Sequence, residues 1–179
     1  LPIFENEGVT IDVLANYTDV DADDNPPNFT LVSLEEEHNP AFSIFNNKLV
    51  VTPGEDFDYL ADGESTEVSV VYTMSDDEGL ESRATATVTI TGTNDDVVLS
   101  STDVTGEVLE TTTTGDLTDS GTIDFTDVDL TDTHTVSVTD TSAGALGSLT
   151  TLSVTEAANA GSGTVNWTYT VADADVQYL

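Results

Sequence analysis

The chain contains no cysteine and only two basic residues, Lys48 and Arg83. Without cysteine there can be no disulfide, zinc finger or thiol nucleophile, so a secreted protein of this sequence needs another lock. Set against 35 acidic residues, the two bases leave a formal charge of -33. Such a chain repels nucleic acid and anionic membrane surfaces and attracts divalent cations. Binding of nucleic acid is therefore not expected. No apolar run approaches the roughly 18 residues of a spanning helix, so membrane insertion is not expected either. Leu1-Pro2-Ile3-Phe4 lacks the basic region and apolar segment of a signal peptide. Targeting information is thus expected elsewhere in a longer chain. There is no Gly-x-Ser-x-Gly elbow. With so many carboxylates, a pair across a cleft of the glycosidase kind carries no information. No enzyme activity is expected.

Threonine, valine and serine in alternation dominate what remains. The 179 residues, 37% of them hydrophobic, suit one large domain or two sandwiches of roughly 100 residues each. Thr66 to Met74 sets Val68, Val70, Tyr72 and Met74 on one face, and Arg83 to Thr91 does the same with Ala84, Ala86, Val88 and Ile90. With Asp76-Asp77-Glu78-Gly79 between them, they predict a long half-buried hairpin. Asn46-Asn47 predicts a tight turn between Phe42–Phe45 and Leu49–Thr52, because asparagine tolerates positive φ. Strands are also expected over Val9–Leu14, Phe29–Leu34, Val97–Ser100, Gly121–Phe125, Thr135–Thr139, Leu149–Val154 and Val165–Val171. Thr91-Gly92-Thr93-Asn94-Asp95-Asp96 breaks the pattern, giving expected domains at 1–94 and 95–179. Asp58-Tyr59-Leu60 precedes the long hairpin, and its echo, Gln177-Tyr178-Leu179, ends the chain. The second domain is therefore expected to lack its last two strands.

Thr-Asp-Val-Asp is written twice, at Thr18–Asp21 and Thr126–Asp129. In an extended chain, alternate side chains point the same way, so Asp19 with Asp21, and Asp127 with Asp129, would aim at common points. Two such charges about 4 Å apart repel by ~1 kcal/mol in water and ~4 kcal/mol at a partly shielded surface. The pairs must splay into solvent or share a cation. Hard oxygen donors suit Ca2+ better than the tighter octahedron of Mg2+.

Glu5-Asn6-Glu7-Gly8-Val9, Thr18-Asp19-Val20-Asp21, Asp58-Tyr59 and Thr91-Gly92-Thr93-Asn94-Asp95 resemble, in order, the motifs of bacterial cadherin-like domains. From Gly106 to Leu179, with Phe125-Thr126-Asp127-Val128-Asp129-Leu130-Thr131-Asp132-Thr133-His134 at its centre, the chain is similar to the VCBS repeat of large RTX-type adhesins. The resemblance implies an all-β fold of tandem immunoglobulin/cadherin-like β-sandwiches on an extracellular, bacterial cell-surface or secreted protein. Its partners would be neighbouring repeats of the same chain, with host or biofilm ligands met through other domains. Calcium would bind at the domain junctions. The implied ligands are Glu5 and Asp58, then Asn94 and Asp95, then Asp127 and Asp129; Asp19, Asp21 and Asp76 would serve the opposite end. Two positions depart from the cadherin pattern: Leu60 stands where a glutamate is expected, with Asp56 a candidate replacement, and Gly92 replaces the first linker aspartate.

An EF-hand is not expected, since Asp24 and Thr30 fall where its loop requires glycine and glutamate. His38 and His134 read as surface or edge histidines, and Trp167 and Tyr169 as one face of a strand. The expected function is a calcium-stiffened extender. The alternatives are a calcium-dependent glycan-binding sandwich and an acidic domain adapted to high salt.

Overall fold

The computed structural model describes residues 1–18, 29–35, 39–110, 115–139 and 141–178. The chain is almost wholly β and divides into two compact units, Leu1–Asn94 and Asp95–Leu179.

In the first unit, β1 (Pro2–Phe4), β7 (Glu81–Thr91), β6 (Ser65–Ser75) and β3 (Thr30–Leu34) form one sheet in that order. A second sheet holds β2 (Val9–Ile11), β5 (Lys48–Val51) and β4 (Phe42–Phe45). The β6–β7 ladder pairs Val68 with Val88 and Tyr72 with Ala84. This register puts the alternating apolar residues of both strands on one face, as a half-buried hairpin requires. Val70, Tyr72, Met74, Val88 and Ile90 from that face join Phe42, Leu49 and Val51 of the other sheet in one core, so the two sheets make a β-sandwich. Asn46 and Asn47 adopt φ of 50° and 60°, the paired positive values of a two-residue hairpin turn. Asn47 does more than turn: its Oδ1 accepts the Leu31 N–H at 2.6 Å and its Nδ2 donates to the Phe29 carbonyl at 2.9 Å. The strand expected over Val9–Leu14 stops at Ile11. Successive turn bonds, Ala15 N–H to Asp12 O and Tyr17 N–H to Leu14 O, then bury Leu14.

The second unit has one sheet among the described residues, ordered β10 (Ser148–Glu156), β11 (Ser162–Ala172), β9 (Asp116–Thr126), β8 (Val98–Thr102). It ends in a short helical turn, Asp173–Val176. The expected strand at Thr135–Thr139 pairs with no ladder among these residues. Val136 and Val138 instead line an open groove of about 720 Å³ with Ile123, Leu152, Val165 and Trp167. Alternation alone cannot distinguish a paired strand from an extended segment laid over a sheet. The Trp167 indole N–H donates to the Asp103 carbonyl at 2.8 Å. Its ring lies so close to Gly121 that a Cβ there would sit 2.6 Å from it. Trp167 packs the sheet.

Candidate functional site

The acidic residues singled out in the sequence fall into separate places. In the first unit, β1 ends at Phe4, and the next residue, Glu5, is 1% exposed. Its Oε1 accepts both the backbone N–H and the hydroxyl of Thr93 at 2.8 Å, while Asn6 Nδ2 donates to the Thr93 hydroxyl. Glu5 Oε2 is buried with no hydrogen-bond partner among the described residues. Asp58, half-buried, follows the 3₁₀ turn Gly54–Phe57. Glu5 and Asp58, together with Asn6, Glu7 and Glu55, line a pocket of about 240 Å³.

Both departures from the cadherin pattern have a structural cause. Leu60 is a core residue, 5% exposed, so its position faces inward and offers no ligand. A Cβ at Gly92 would lie 2.0 Å from the Leu60 carbonyl oxygen, so no aspartate fits there. Asp56 is exposed and is not among the residues lining the pocket. Asp76 closes the β6–β7 turn by accepting the Leu80 N–H at 2.7 Å on Oδ1. Asp19 and Asp21 lie outside the described residues. Asn94 is exposed.

In the second unit, Asp127 and Asp129 are brought together, but not by strand alternation. β9 ends at Thr126. Asp127 Oδ1 then accepts the Asp129 N–H at 3.0 Å, a side chain holding its own backbone two residues on. The Asp127 N–H itself donates to the Gly161 carbonyl in the β10–β11 turn at 3.1 Å. Asp129, 1% exposed, accepts the Asp95 N–H on Oδ2 at 2.7 Å, while its Oδ1 is buried without a partner among the described residues. Burial pushes the Asp129 carboxyl above the ordinary range. The Asp95 N–H opposes this rise, and the charges of Asp127, Asp132 and Asp95 add to it.

His134 is the residue that sequence reasoning missed. It is partly exposed and held between two acids: Nε2 lies 2.9 Å from Asp127 Oδ2 and Nδ1 2.8 Å from Glu156 Oε2. Facing carboxylates on both nitrogens favour the doubly protonated ring, since a neutral imidazole has only one N–H. The Asp127 contact raises the His134 pKa most; burial opposes it, and Glu156 raises it further. Glu156 is lowered, first by the His134 backbone N–H and then by its side chain. No spacing motif announces this triad, because its members lie on separate segments.

Among the described residues, no group of three or more His, Cys, Asp or Glu side chains is arranged to hold a metal ion. What each unit does offer is a buried carboxylate oxygen with no hydrogen-bond partner among the described residues, Glu5 Oε2 in one and Asp129 Oδ1 in the other. Leaving a charged acceptor buried and unsatisfied costs roughly 1–3 kcal/mol or more. Hard oxygens of this kind fit part of a calcium shell, which water, amide and backbone oxygens complete elsewhere.

A family model described as bacterial Ig domain matches residues 2–91, half of the chain. The chain belongs to the bacterial Ig domain family. The all-β architecture agrees with that assignment, and the immunoglobulin-like sandwich is a non-catalytic type of fold. Bacterial Ig domains occur typically in surface proteins. No helix among the described residues is long and apolar enough to cross a membrane. A search of curated proteins returns no match.

Proposed function

We propose that this bacterial Ig protein is an extender segment of a large surface or secreted adhesin of the VCBS and cadherin-like kind, and that calcium bound to its buried carboxylates stiffens it. A bacterial Ig domain already implies a surface-protein spacer; calcium is the finer step. The observation that carries this step is Asp129, fully buried, with one oxygen unsatisfied among the described residues and three other aspartates raising its proton affinity. Such a site is costly when empty and is relieved by a dication. Glu5 repeats the feature in the first unit. Of the residues the resemblance implies, Asp58 belongs with Glu5, and Asp95 and Asp127 with Asp129. Asn94, Asp19, Asp21 and Asp76 enter the proposal on the resemblance alone.

Thermal melts in EDTA, millimolar magnesium and millimolar calcium test the reading. Calcium at about 100 times its dissociation constant adds about 2.7 kcal/mol, so Tm should rise with calcium and much less with magnesium. Identical melts in EDTA and calcium would overturn it. The glycan-binding alternative draws on the open groove beside Trp167 and Tyr169, although Trp167 is already engaged by Asp103 and Gly121. An extender is silent on a glycan array; a calcium-dependent signal there would favour the alternative.

A further inference from the structure

We propose that His134 is a positioning residue that locks the Asp127–Asp129 pair into the geometry in which it takes a cation. This inference rests on the calcium reading above and names a device that the reading does not contain.

The lock is built from one end of the sheet. Glu156 of β10 pairs with Gly163 of β11, and Gly163 pairs with Phe125 of β9, so the three form one row across three strands. The middle position has no side chain, and a Cβ there would lie 2.4 Å from Phe125 Cζ. The Phe125 ring therefore leans over the glycine toward Glu156. The His134 ring packs against Phe125, with centroids 4.6 Å apart and planes inclined at 53°. From that seat, its two nitrogens reach Glu156 on β10 and Asp127, two residues beyond Phe125. Glu156 Oε1 also accepts the His134 backbone N–H at 3.0 Å. One residue is thus fixed at its ring face, both ring nitrogens and its main chain.

The consequence falls on Asp127. A free aspartate carboxylate rotates about its terminal bond with little preference. Here Oδ2 is held by His134, which leaves Oδ1 directed at the Asp129 N–H. That bond sets the backbone of Asp129 and hence the direction of its buried carboxylate. Removing His134 releases Asp127 Oδ2, and the turn that presents Asp129 loses its anchor to β10. Partners that orient metal ligands from behind typically change metal affinity 10- to 100-fold when mutated.

Calorimetric calcium titrations of the full chain at one fixed pH, with His134→Ala and His134→Gln, test the proposal. The Ala variant should bind calcium at least about tenfold more weakly. Gln, which can still donate to Asp127, should recover part of the loss. Amide NMR without calcium gives a second readout: the Asp129 N–H resonance should shift in the Ala variant and return toward its original position in the Gln variant. If His134→Ala fails to fold, Glu156→Gln replaces it and should weaken binding to a smaller degree. Equal affinities in wild type and variant, with the Asp129 amide unmoved, would overturn this inference and leave the calcium reading standing. A wild-type chain that binds no calcium would remove both.

Discussion

Asp127 accepts the backbone N–H of Asp129 through one carboxylate oxygen and faces His134 through the other. The pair is therefore a turn with a tether, in which one aspartate organises the next. The proposed chemistry of the second unit depends on that relation, and so does its cost in the absence of a cation.

Replacing Asp129 by asparagine keeps its shape and removes its charge. In EDTA, Asp129→Asn should stabilise the protein by about 1 kcal/mol, because the buried unsatisfied charge costs roughly that or more. In calcium, the same variant should gain less stability than wild type. Paired melts of the two proteins in each condition check both signs. A variant that is weaker in EDTA and unchanged in its response to calcium would contradict the account.

The pH response without calcium follows from the same groups. His134 has a folded pKa above its ordinary 6.5, so its contribution is present below that value and is lost as pH rises through the raised one. Asp129 is raised from 3.8 and behaves in the same sense in the acid range. Glu156, lowered from 4.5, acts oppositely: its contribution is lost as pH falls through the lowered value. In EDTA, stability should therefore fall as pH rises above 6.5 and through the raised His134 value. His134→Gln should flatten that slope, and an unaltered slope in the variant would be evidence against the paired contact.

Several of these features were legible in the sequence and others were not, for identifiable reasons. The Asn46-Asn47 turn and the β6–β7 hairpin are local, set by backbone preference and period-two alternation, and they appear in the structure with the expected faces. Val9, Ile11 and Val13 keep strand parity toward the core, but Leu14 falls one position off that parity and is buried by a turn, which an apolar run alone does not reveal. Thr135–Thr139 has strand alternation but no ladder partner among the described residues. Strand alternation would set Asp127 and Asp129 on one side, whereas the structure joins them through the Asp127 side chain bonding the Asp129 N–H, an arrangement that competes with extended geometry. The register of three strands sets Phe125 and Glu156 in one row, and His134, outside those strands, seats against them; no short motif encodes this.

Gly92 tests the packing under the first unit's edge. A methyl there would approach the Leu60 and Ala61 carbonyl oxygens at 2.0 and 2.5 Å, and the Gly92 N–H donates to Glu64 O at 2.8 Å. Gly92→Ala should destabilise the protein by about 1–3 kcal/mol, the usual cost of overpacking. Denaturant unfolding of the variant measures it, and a change within about 0.5 kcal/mol would contradict the contact.

The two units should differ in stability. Among the described residues, 16 buried apolar side chains lie in Leu1–Asn94 and three, Phe125, Val171 and Val176, in Asp95–Leu179. Each fully buried large apolar side chain contributes about 1.5–3 kcal/mol. Hydrogen exchange should protect the β6–β7 amides longer than those of β9 and β11. The reverse order would show that the core assignment is wrong.

The most direct test is a crystal structure grown in millimolar calcium, examined around Asp129. An ion should lie within about 2.3–2.6 Å of Asp129 Oδ1, the calcium–oxygen range, with Asp127 still held by His134. A well-ordered Asp129 with no ion beside it at saturating calcium would contradict the account.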